Sequence, residues 1–587
     1  MKMAFIDKND WHRLWAGIGA KIDRAKIRAW SFYDEAGTGK RLTIVALAVF
    51  LFFDLLTVFW GMPNAFSWSV DDPSGIFTVG FVKSDGSNYA PFGYIARLIL
   101  YLPFLAAYYV FGAWKLGSVK YPSFGFADPD WQLGFLMILT RAVHFSLFLA
   151  TGYFIYRLAS RFNRRAAWWA VLFYMLSPLA VEFSTYGNVD TPVMFFAAWA
   201  LYHLSEILFS GPEDGRGRVR NWMLFFAAFA GVVGLKESVA MAFIIPFFFV
   251  FIKCGYLSKS GWKRVWPEFF PGLWTFGLLF IIGNNIIFDW PKYWNHAIRL
   301  VSRDSATNAV FAVLSPWELF KRTAESLALI APAPLLFFLA GWKNMLKKKY
   351  RLYSWFLLSF AASSFVFFIC RFGRTYLRHN LPIMMIVSIF AGLAAWQIFA
   401  RSKGKLRFFL RLGLVCFLFS LAAIPVWGKF NDSRYEAEKF ISSMVKDKDV
   451  QVLSNRYHVY LPRMHRLAAS EDWRAKSISF NTKISREPDK DLYIVQYDKF
   501  VFYREAFSAG YGIIYDSGPR QPYYHAWDVR LSPCRISCRV LVLEKKSLGG
   551  VDSIKIEEDI KSYYDEELKK PDIYYEDGEE QKDSPSN

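Results

Sequence analysis

The chain has 587 residues, of which 54% are hydrophobic and 19% aromatic, and its formal net charge at pH 7 is +20. This apolar content is well above that of a soluble domain and indicates a polytopic membrane protein. The lysines and arginines fall in short segments between apolar runs, as the positive-inside rule describes, so the charge argues against nucleic acid as a partner.

Residues 1–41 are polar and basic, and we expect them to be cytoplasmic. A membrane-spanning helix needs roughly twenty predominantly apolar residues. By that measure residues 42–428 form a transmembrane domain of about eleven helices, which would place the chain's C-terminal part outside. The predicted spans are Leu42–Trp60, Trp131–Tyr156, Ala166–Thr185, Thr191–Phe209, Asn221–Leu235, Val239–Phe251, Glu268–Phe288, Ser326–Trp342, Leu352–Cys370, Leu381–Ala400 and Phe408–Val426.

Basic clusters between the predicted spans test this topology. They fall at every second turn, on the inner side, at Arg157–Arg165, Arg216–Arg220, Lys253–Arg264, Lys343–Arg351 and Arg401–Arg411. The apolar run Tyr94–Trp114 is also long enough to span, but counting it would move every cluster outside. We therefore interpret it as an interfacial helix within a long first outer loop, residues 61–130.

The sequence changes character after the last predicted span. Residues 429–548 are polar and mixed, and short β-rich runs predict a small extracytoplasmic α/β domain. These runs are Val450–Leu453, Asp491–Gln496, Gly512–Tyr515 and Arg539–Leu543. Residues 549–587 are acidic and read as a disordered tail. Cys534 and Cys538 either close a local disulfide or stay reduced, and their spacing leaves both open.

Adjacent carboxylates at Asp71 and Asp72 are the first candidates for chemistry. They lie in a turn with Pro73 and Gly75, about ten residues beyond the first span. Two like charges in a confined site raise one pKa, which favours proton abstraction. The alternative is an Asx-turn or a helix cap in a solvated loop.

Isolated charges near the outer ends of other spans are the next candidates. Arg141 lies about 13 Å into the second span, where it needs an anion or must snorkel. Asp190 precedes Thr191-Pro192 and is either a functional-site residue or a helix N-cap. Lys236 meets either a phosphate or its neighbour Glu237.

A cationic turn precedes the span that begins at Leu381. It contains Arg371, Arg374, Arg378 and His379, although cations are disfavoured in outer loops. A phosphate or diphosphate carried by a membrane lipid would compensate them, and ordinary anionic headgroups are the alternative.

Taken together, these residues resemble the GT-C superfamily of glycosyltransferases that use lipid-linked sugars. Within it, they resemble specifically the branch of dolichyl-phosphate-mannose protein mannosyltransferases and bacterial aminoarabinose transferases of lipid A. The matching features are Asp71-Asp72, the segment from Ala90 to Tyr94, Arg141, the segment from Tyr186 to Pro192, Lys236 and the turn from Arg378 to Pro382. Asp-Asp departs from the family's usual Asp-Glu or single Asp, which leaves open which carboxylate is the base.

The resemblance implies an inverting transfer of a sugar from a polyprenyl phosphate to an acceptor hydroxyl on the extracytoplasmic face. Asp71 or Asp72 would be the base, and Arg141, Lys236, Arg374 and Arg378 would hold the donor phosphate. Asn188, Asp190 and His379 would shape the sugar or acceptor pocket. No metal site or cofactor is firmly implied, although Asp71 and Asp72 suit a divalent Mg or Mn ion.

The expected partners are a polyprenyl-phosphate-linked sugar, membrane lipids and a glycan, lipid or protein acceptor. The absence of a recognisable eukaryotic insert suggests a bacterial inner membrane. Other functions remain open. A lipid-linked glycan transporter would place ionisable residues near the midplane of several spans, a diphosphate-dependent polymerase or ligase would need a different donor, and an assembly subunit would need no base.

Overall fold

The computed structural model describes residues 38–61, 129–187, 189–210, 215–283, 314–372 and 377–432, with shorter stretches at 286, 290–291, 294, 298, 435–437, 439–440, 443, 452–454, 492–496, 511–516 and 540–545. The chain divides between Asp54 and Leu55 into two compact units. Everything described below from Thr57 onward lies in the second unit.

Helices dominate the described residues. They are α1 Thr38–Leu56, α2 Pro129–Ser160, α3 Arg164–Met175, α4 Pro178–Ser184, α5 Asp190–Phe209, α6 Gly215–Leu235, α7 Glu237–Ala240, α8 Ile244–Lys253, α9 Lys259–Gly283, α10 Pro316–Ile330, α11 Pro332–Met345, α12 Arg351–Ser363, α13 Cys370–Phe372, α14 Leu381–Arg401 and α15 Gly404–Phe430. Short 3₁₀ turns cover Thr57–Phe59, Met241–Phe243 and Leu377–Asn380, and a π-helical segment covers Ser364–Ile369.

Several of these helices suit a lipid environment. Among the described residues six helices are long and apolar enough to cross a membrane, or up to eight if each of two bent pairs forms one span. The predicted class, a polytopic α-helical membrane protein, is confirmed. The predicted count of about eleven spans remains a prediction, as do the interfacial helix Tyr94–Trp114 and the first-loop residues 62–128, which lie outside the described residues.

Two spans predicted as continuous helices are broken instead. Helices α3 and α4 meet at 68°, and α10 and α11 meet at 114°. Each break falls before a proline, Pro178 or Pro332, because proline lacks an N–H and pushes the preceding residue out of helical geometry. Ser177 is accordingly extended, with ψ at 130°. The two breaks also touch, since Ser177 Oγ donates to the Ile330 carbonyl over 2.9 Å.

Helix α14 lies at the centre of the packing and is buried along most of its length. Small residues allow neighbouring backbones to approach it closely. A Cβ built on Gly392 would lie 2.5 Å from Ala170 N and 2.6 Å from Ala166 O of α3. On α11, a Cβ on Gly341 would lie 2.3 Å from the Cβ of Ala394. Close contact through small residues is how membrane helices gain packing energy without a hydrophobic driving force.

A buried polar network ties α6 to α9. Arg218 Nη1 lies 3.0 Å from Glu268 Oε2, and both side chains are almost fully buried. Tyr256, in the turn before α9, donates its hydroxyl to the same carboxylate over 2.6 Å and accepts the indole N–H of Trp222 over 3.1 Å. Burial, together with the Glu268 carboxylate, raises the pKa of the Tyr256 phenol above its usual value.

The C-terminal part contains a four-stranded sheet in the order β1-β2-β4-β3. Its strands are β1 Val452–Ser454, β2 Leu492–Gln496, β3 Tyr511–Asp516 and β4 Val540–Lys545. The first pair is parallel and the other two are antiparallel, with an irregularity between Ile513 and Tyr515. Each strand lies within a few residues of its predicted position. The domain boundaries at 429 and 548 and the tail at 549–587 remain predictions.

Candidate active site

The end of the first helix is held by a buried arginine. After the Thr57–Phe59 turn, Gly61 has a φ of 73°, a conformation that favours glycine. Arg141 of α2 donates from Nη1 to the carbonyl oxygens of Val58 at 3.0 Å and Trp60 at 2.5 Å. Carbonyls at a helix end lack intrahelical partners. Arg141, which is fully buried, therefore caps the point where the chain leaves α1 and its 3₁₀ turn.

The end of the last helix meets the same place. Lys429 of α15 is 1% exposed, and its Nζ donates to Glu182 O and Thr185 Oγ1, both at 2.9 Å. Thr185 Oγ1 lies 2.5 Å from Thr57 Oγ1. Just past the helix, Asp432 Oδ2 accepts the Trp60 indole N–H over 2.9 Å. We call the side chains that meet here the Trp60 cluster: Thr57, Trp60, Arg141, Thr185, Lys429 and Asp432.

Aromatic and cation–π contacts complete the Trp60 cluster. The Trp60 ring lies 5.6 Å from the Arg141 guanidinium carbon and 6.0 Å from Lys429 Nζ. The Tyr186 ring packs 6.1 Å from Trp60 and is fully buried. The proximity of two cations to the indole ring is electrostatically favourable, because the ring face carries negative charge density.

Asp190 and Lys236 form an ion pair between the start of α5 and the end of α6. Lys236 Nζ lies 2.7 Å from Asp190 Oδ1, and the side chains are 19% and 4% exposed. Asp190 is the first residue of α5, whose N-cap is Val189, and Lys236 is paired with Asp190 rather than with Glu237. The two residues singled out separately in the sequence are thus direct partners.

The cationic turn before α14 is a short 3₁₀ helix, Leu377–Asn380, packed against α10 and α14. His379 is buried with its ring 4.8 Å from that of Phe368, and Asn380 is fully buried. Arg378 is half-buried. The turn that carries Arg378 is therefore packed firmly through its buried neighbours His379 and Asn380.

Several predicted site residues lie outside the described part of the chain. They are Asp71, Asp72, Asn188, Arg374, Cys534 and Cys538. Their roles, the disulfide and a divalent cation at Asp71 and Asp72 remain predictions. Within the residues that the structure describes, no group of three or more His, Cys, Asp or Glu side chains is placed to hold a metal ion.

Sequence reasoning did not single out Trp60, Thr185, Lys429 or Asp432. Lys429 was placed at the start of the C-terminal domain, whereas α15 continues to Phe430 and carries Lys429 inward. A lysine followed three residues later by an aspartate, at the end of a long apolar helix, is a signal that could have been noticed. That it meets the end of the first helix is not visible in one sequence.

The described residues thus define a class: a multi-pass helical membrane protein whose charged side chains gather where several helices end. Residues 133–287 match the family model described as dolichyl-phosphate-mannose-protein mannosyltransferase. The match confirms the resemblance to the GT-C superfamily. It includes Arg141, Asp190 and Lys236.

The chain is similar to several solved structures. ArnT from Cupriavidus metallidurans bound to undecaprenyl phosphate is 13% identical, with a TM-score of 0.47, covering 88% of this chain and 100% of that one. The Archaeoglobus fulgidus oligosaccharyltransferase tethered with an acceptor peptide is also 13% identical, with a TM-score of 0.44, covering 81% and 73%. At these scores the likeness carries no argument about function. The chain has no significant match among curated protein sequences.

Proposed function

We propose that the protein is an inverting glycosyltransferase that moves a sugar from a polyprenyl-phosphate donor to an acceptor hydroxyl at the extracytoplasmic face. The observations that carry the proposal are the contacts of Arg141 and Lys429 in the Trp60 cluster and the Asp190–Lys236 pair, together with the match of residues 133–287 to the mannosyltransferase family model. The Asp71-Asp72 pair follows Trp60 by about ten residues.

Lys236 suits a donor phosphate in its present position. Its ammonium has three N–H donors, and Asp190 accepts one of them. The side chain is 19% exposed, so a phosphate oxygen can reach the group. Asp190 then orients the ammonium and keeps its charge compensated when the phosphate is absent, which makes the site ready for an anion at little reorganisation cost.

Arg141 suits a supporting role. Its guanidinium is committed to the carbonyls of Val58 and Trp60, yet it keeps a positive charge at the base of the first loop. A buried cation acts on a nearby phosphate through the field even without direct contact, because the low-dielectric interior screens it weakly.

The proposed chemistry is a single displacement. A carboxylate, Asp71 or Asp72, accepts the proton of the acceptor hydroxyl as its oxygen attacks the anomeric carbon. The bond from that carbon to the phosphate oxygen breaks, and the electron pair leaves with the polyprenyl phosphate. The cations stabilise the charge that develops on the leaving group, so no general acid is required. Attack opposite the leaving group inverts the anomeric centre.

The test is sugar transfer from labelled polyprenyl-phosphate donors by the purified full-length protein. Wild type is compared with Asp71→Asn, Asp72→Asn and, as a matched control in the acidic tail, Asp552→Asn. We expect one of the first two variants to lose transfer by about a hundredfold or more while still binding polyprenyl phosphate. Equal transfer by all variants would contradict the proposed base, and no use of any monophosphate donor would overturn the proposed function.

A further inference from the structure

The segment after α15 forms two hydrogen bonds with Trp60 and Gly61, the residues that follow the first helix and its 3₁₀ turn. Asp432 accepts the Trp60 indole N–H over 2.9 Å, and the Tyr435 hydroxyl accepts the Gly61 backbone N–H over 2.8 Å. These residues are about 370 positions apart in sequence. The adjacent residues Trp60 and Gly61 are thus each bound by a residue of the segment after α15.

Both partners of the main contact are buried. Trp60 is 3% exposed and Asp432 is 1% exposed. Hydrogen bonds to a charged acceptor are shorter and stronger than neutral ones, and a buried indole N–H needs a partner. The contact between Trp60 and Asp432 is therefore stronger than an ordinary surface hydrogen bond.

The segment bound by Asp432 and Tyr435 is also held by Arg141 of α2. Arg141 holds the Val58 and Trp60 carbonyls, while Asp432 and Tyr435 hold the Trp60 side chain and the Gly61 amide. The segment is thus restrained both by α2 and by the residues that follow α15. These contacts leave Trp60 and Gly61, the last described residues before the first loop, little freedom to move.

We propose that Asp432 and Tyr435 are positioning residues that fix Trp60 and Gly61, from which the first loop with Asp71 and Asp72 continues. The inference rests on the proposed function. A small displacement of a reacting group lowers a rate steeply, so loosening these contacts should slow turnover without removing a chemical group.

The experiment uses the purified full-length protein with Asp432→Ala, Asp432→Asn, Trp60→Phe, the Trp60→Phe/Asp432→Ala pair and Tyr435→Phe. Asn431→Ala is the matched control, because the Asn431 amide donates within its own helix end, to Trp427 O over 3.1 Å. The readouts are kcat and KM for a polyprenyl-phosphate sugar, binding of polyprenyl phosphate, and the rate of tryptic cleavage at Lys83 in the first loop.

We expect Asp432→Ala to lower kcat by about 10- to 100-fold with KM changed by less than about twofold. Cleavage at Lys83 should accelerate several-fold, and Tyr435→Phe should show a weaker form of both effects. The Trp60→Phe/Asp432→Ala pair should be no worse than the poorer single variant, since both remove one interaction. Asp432→Asn should recover part of kcat, because its amide oxygen can still accept the indole N–H.

Values of kcat and Lys83 cleavage matching those of Asn431→Ala would overturn the proposal, as would fully additive effects in the Trp60→Phe/Asp432→Ala pair. Failure of the proposed function has a different signature. In that case wild type transfers no sugar from any donor, and the Lys83 cleavage rate of Asp432→Ala decides independently whether these contacts restrain the first loop.

Discussion

Asp190 and Lys236 show how a charge is kept near a membrane surface without a large penalty. The carboxylate is 4% exposed and lies 2.7 Å from the ammonium, which is 19% exposed. Replacing one partner of such an ion pair destabilises the protein more than replacing both, because one uncompensated charge stays buried. Lys236 is therefore a structural partner of Asp190 and also a proposed cation for a donor phosphate.

Replacing Lys236 should weaken ligand binding and stability together. We expect Lys236→Met to lower the affinity for polyprenyl phosphate about tenfold or more, because it removes a charge-assisted hydrogen bond. The melting temperature should also fall, since the Asp190 carboxylate loses its cation. Binding is measured by titration in detergent and stability by thermal unfolding.

The control for this prediction is Lys321→Met. Lys321 forms an exposed pair with Glu325 at 4.0 Å, with side chains 66% and 53% exposed. Surface pairs of this kind contribute less than about 1 kcal/mol, so neither affinity nor melting temperature should change. Wild-type affinity in Lys236→Met would contradict a role in donor binding.

At the residue scale, the sequence indicates which charged residues matter but not which residues they contact. Arg141, Asp190 and Lys236 were recognisable because an isolated charge in or beside an apolar run demands an explanation. Their partners were not recognisable. The contact of Arg141 with Val58 and Trp60, and that of Lys429 with Thr185, depend on which helix ends meet, and this information is absent from one sequence.

At the scale of elements, helix α14 shows how the bundle is packed. Its buried residues contact α3 on one side and α11 on another, and Gly392 lies where α3 comes nearest. Side chains larger than hydrogen have no room there without moving two helices apart. The position tests whether this close approach is a real determinant of stability.

We expect Gly392→Ala to lower the melting temperature, because the new methyl would lie 2.5 Å from Ala170 N. Overpacking of this kind costs about 1–3 kcal/mol. The matched control is Gly413→Ala on α15, where a Cβ meets nothing within 4 Å. This control should be as stable as wild type or slightly more so, since alanine favours helix. An unchanged melting temperature for Gly392→Ala would mean that the helices adjust freely.

Element types were easier to predict than element continuity. Apolar length located the helices, and β-rich runs located all four strands of the described sheet. The breaks at Pro178 and Pro332 were missed because apolar composition continued across them. Proline was the available signal, since it removes a backbone donor and restricts the residue before it.

At the scale of the whole molecule, two groups of charged side chains lie near opposite ends of the helices. The Trp60 cluster and the Asp190–Lys236 pair lie where α1, α6 and α15 end, whereas Arg161 pairs with Glu206 near the opposite ends of α2 and α5. We expect the first group on the extracytoplasmic side and the second on the cytoplasmic side. The predicted orientation, with Arg161 inside, is directly testable.

Helix α15 offers both ends for such a test. Its 27 residues extend about 40 Å, enough to cross a bilayer. In a background without the native cysteines, Lys405→Cys and Asn431→Cys are labelled with a membrane-impermeant maleimide. We expect labelling of Asn431→Cys in intact cells and of Lys405→Cys only after lysis. The reverse pattern would overturn the proposed orientation.

The Arg218–Glu268 pair has a consequence for how the protein is assembled. Helix α9 is not among the six helices apolar enough to span by themselves, and it contains Glu268 beside Pro267. Its compensating cation, Arg218, is on α6, which is synthesised earlier. We therefore expect α9, which contains the start of the predicted span Glu268–Phe288, to enter the bilayer most favourably after α6, so that the order of synthesis contributes to folding.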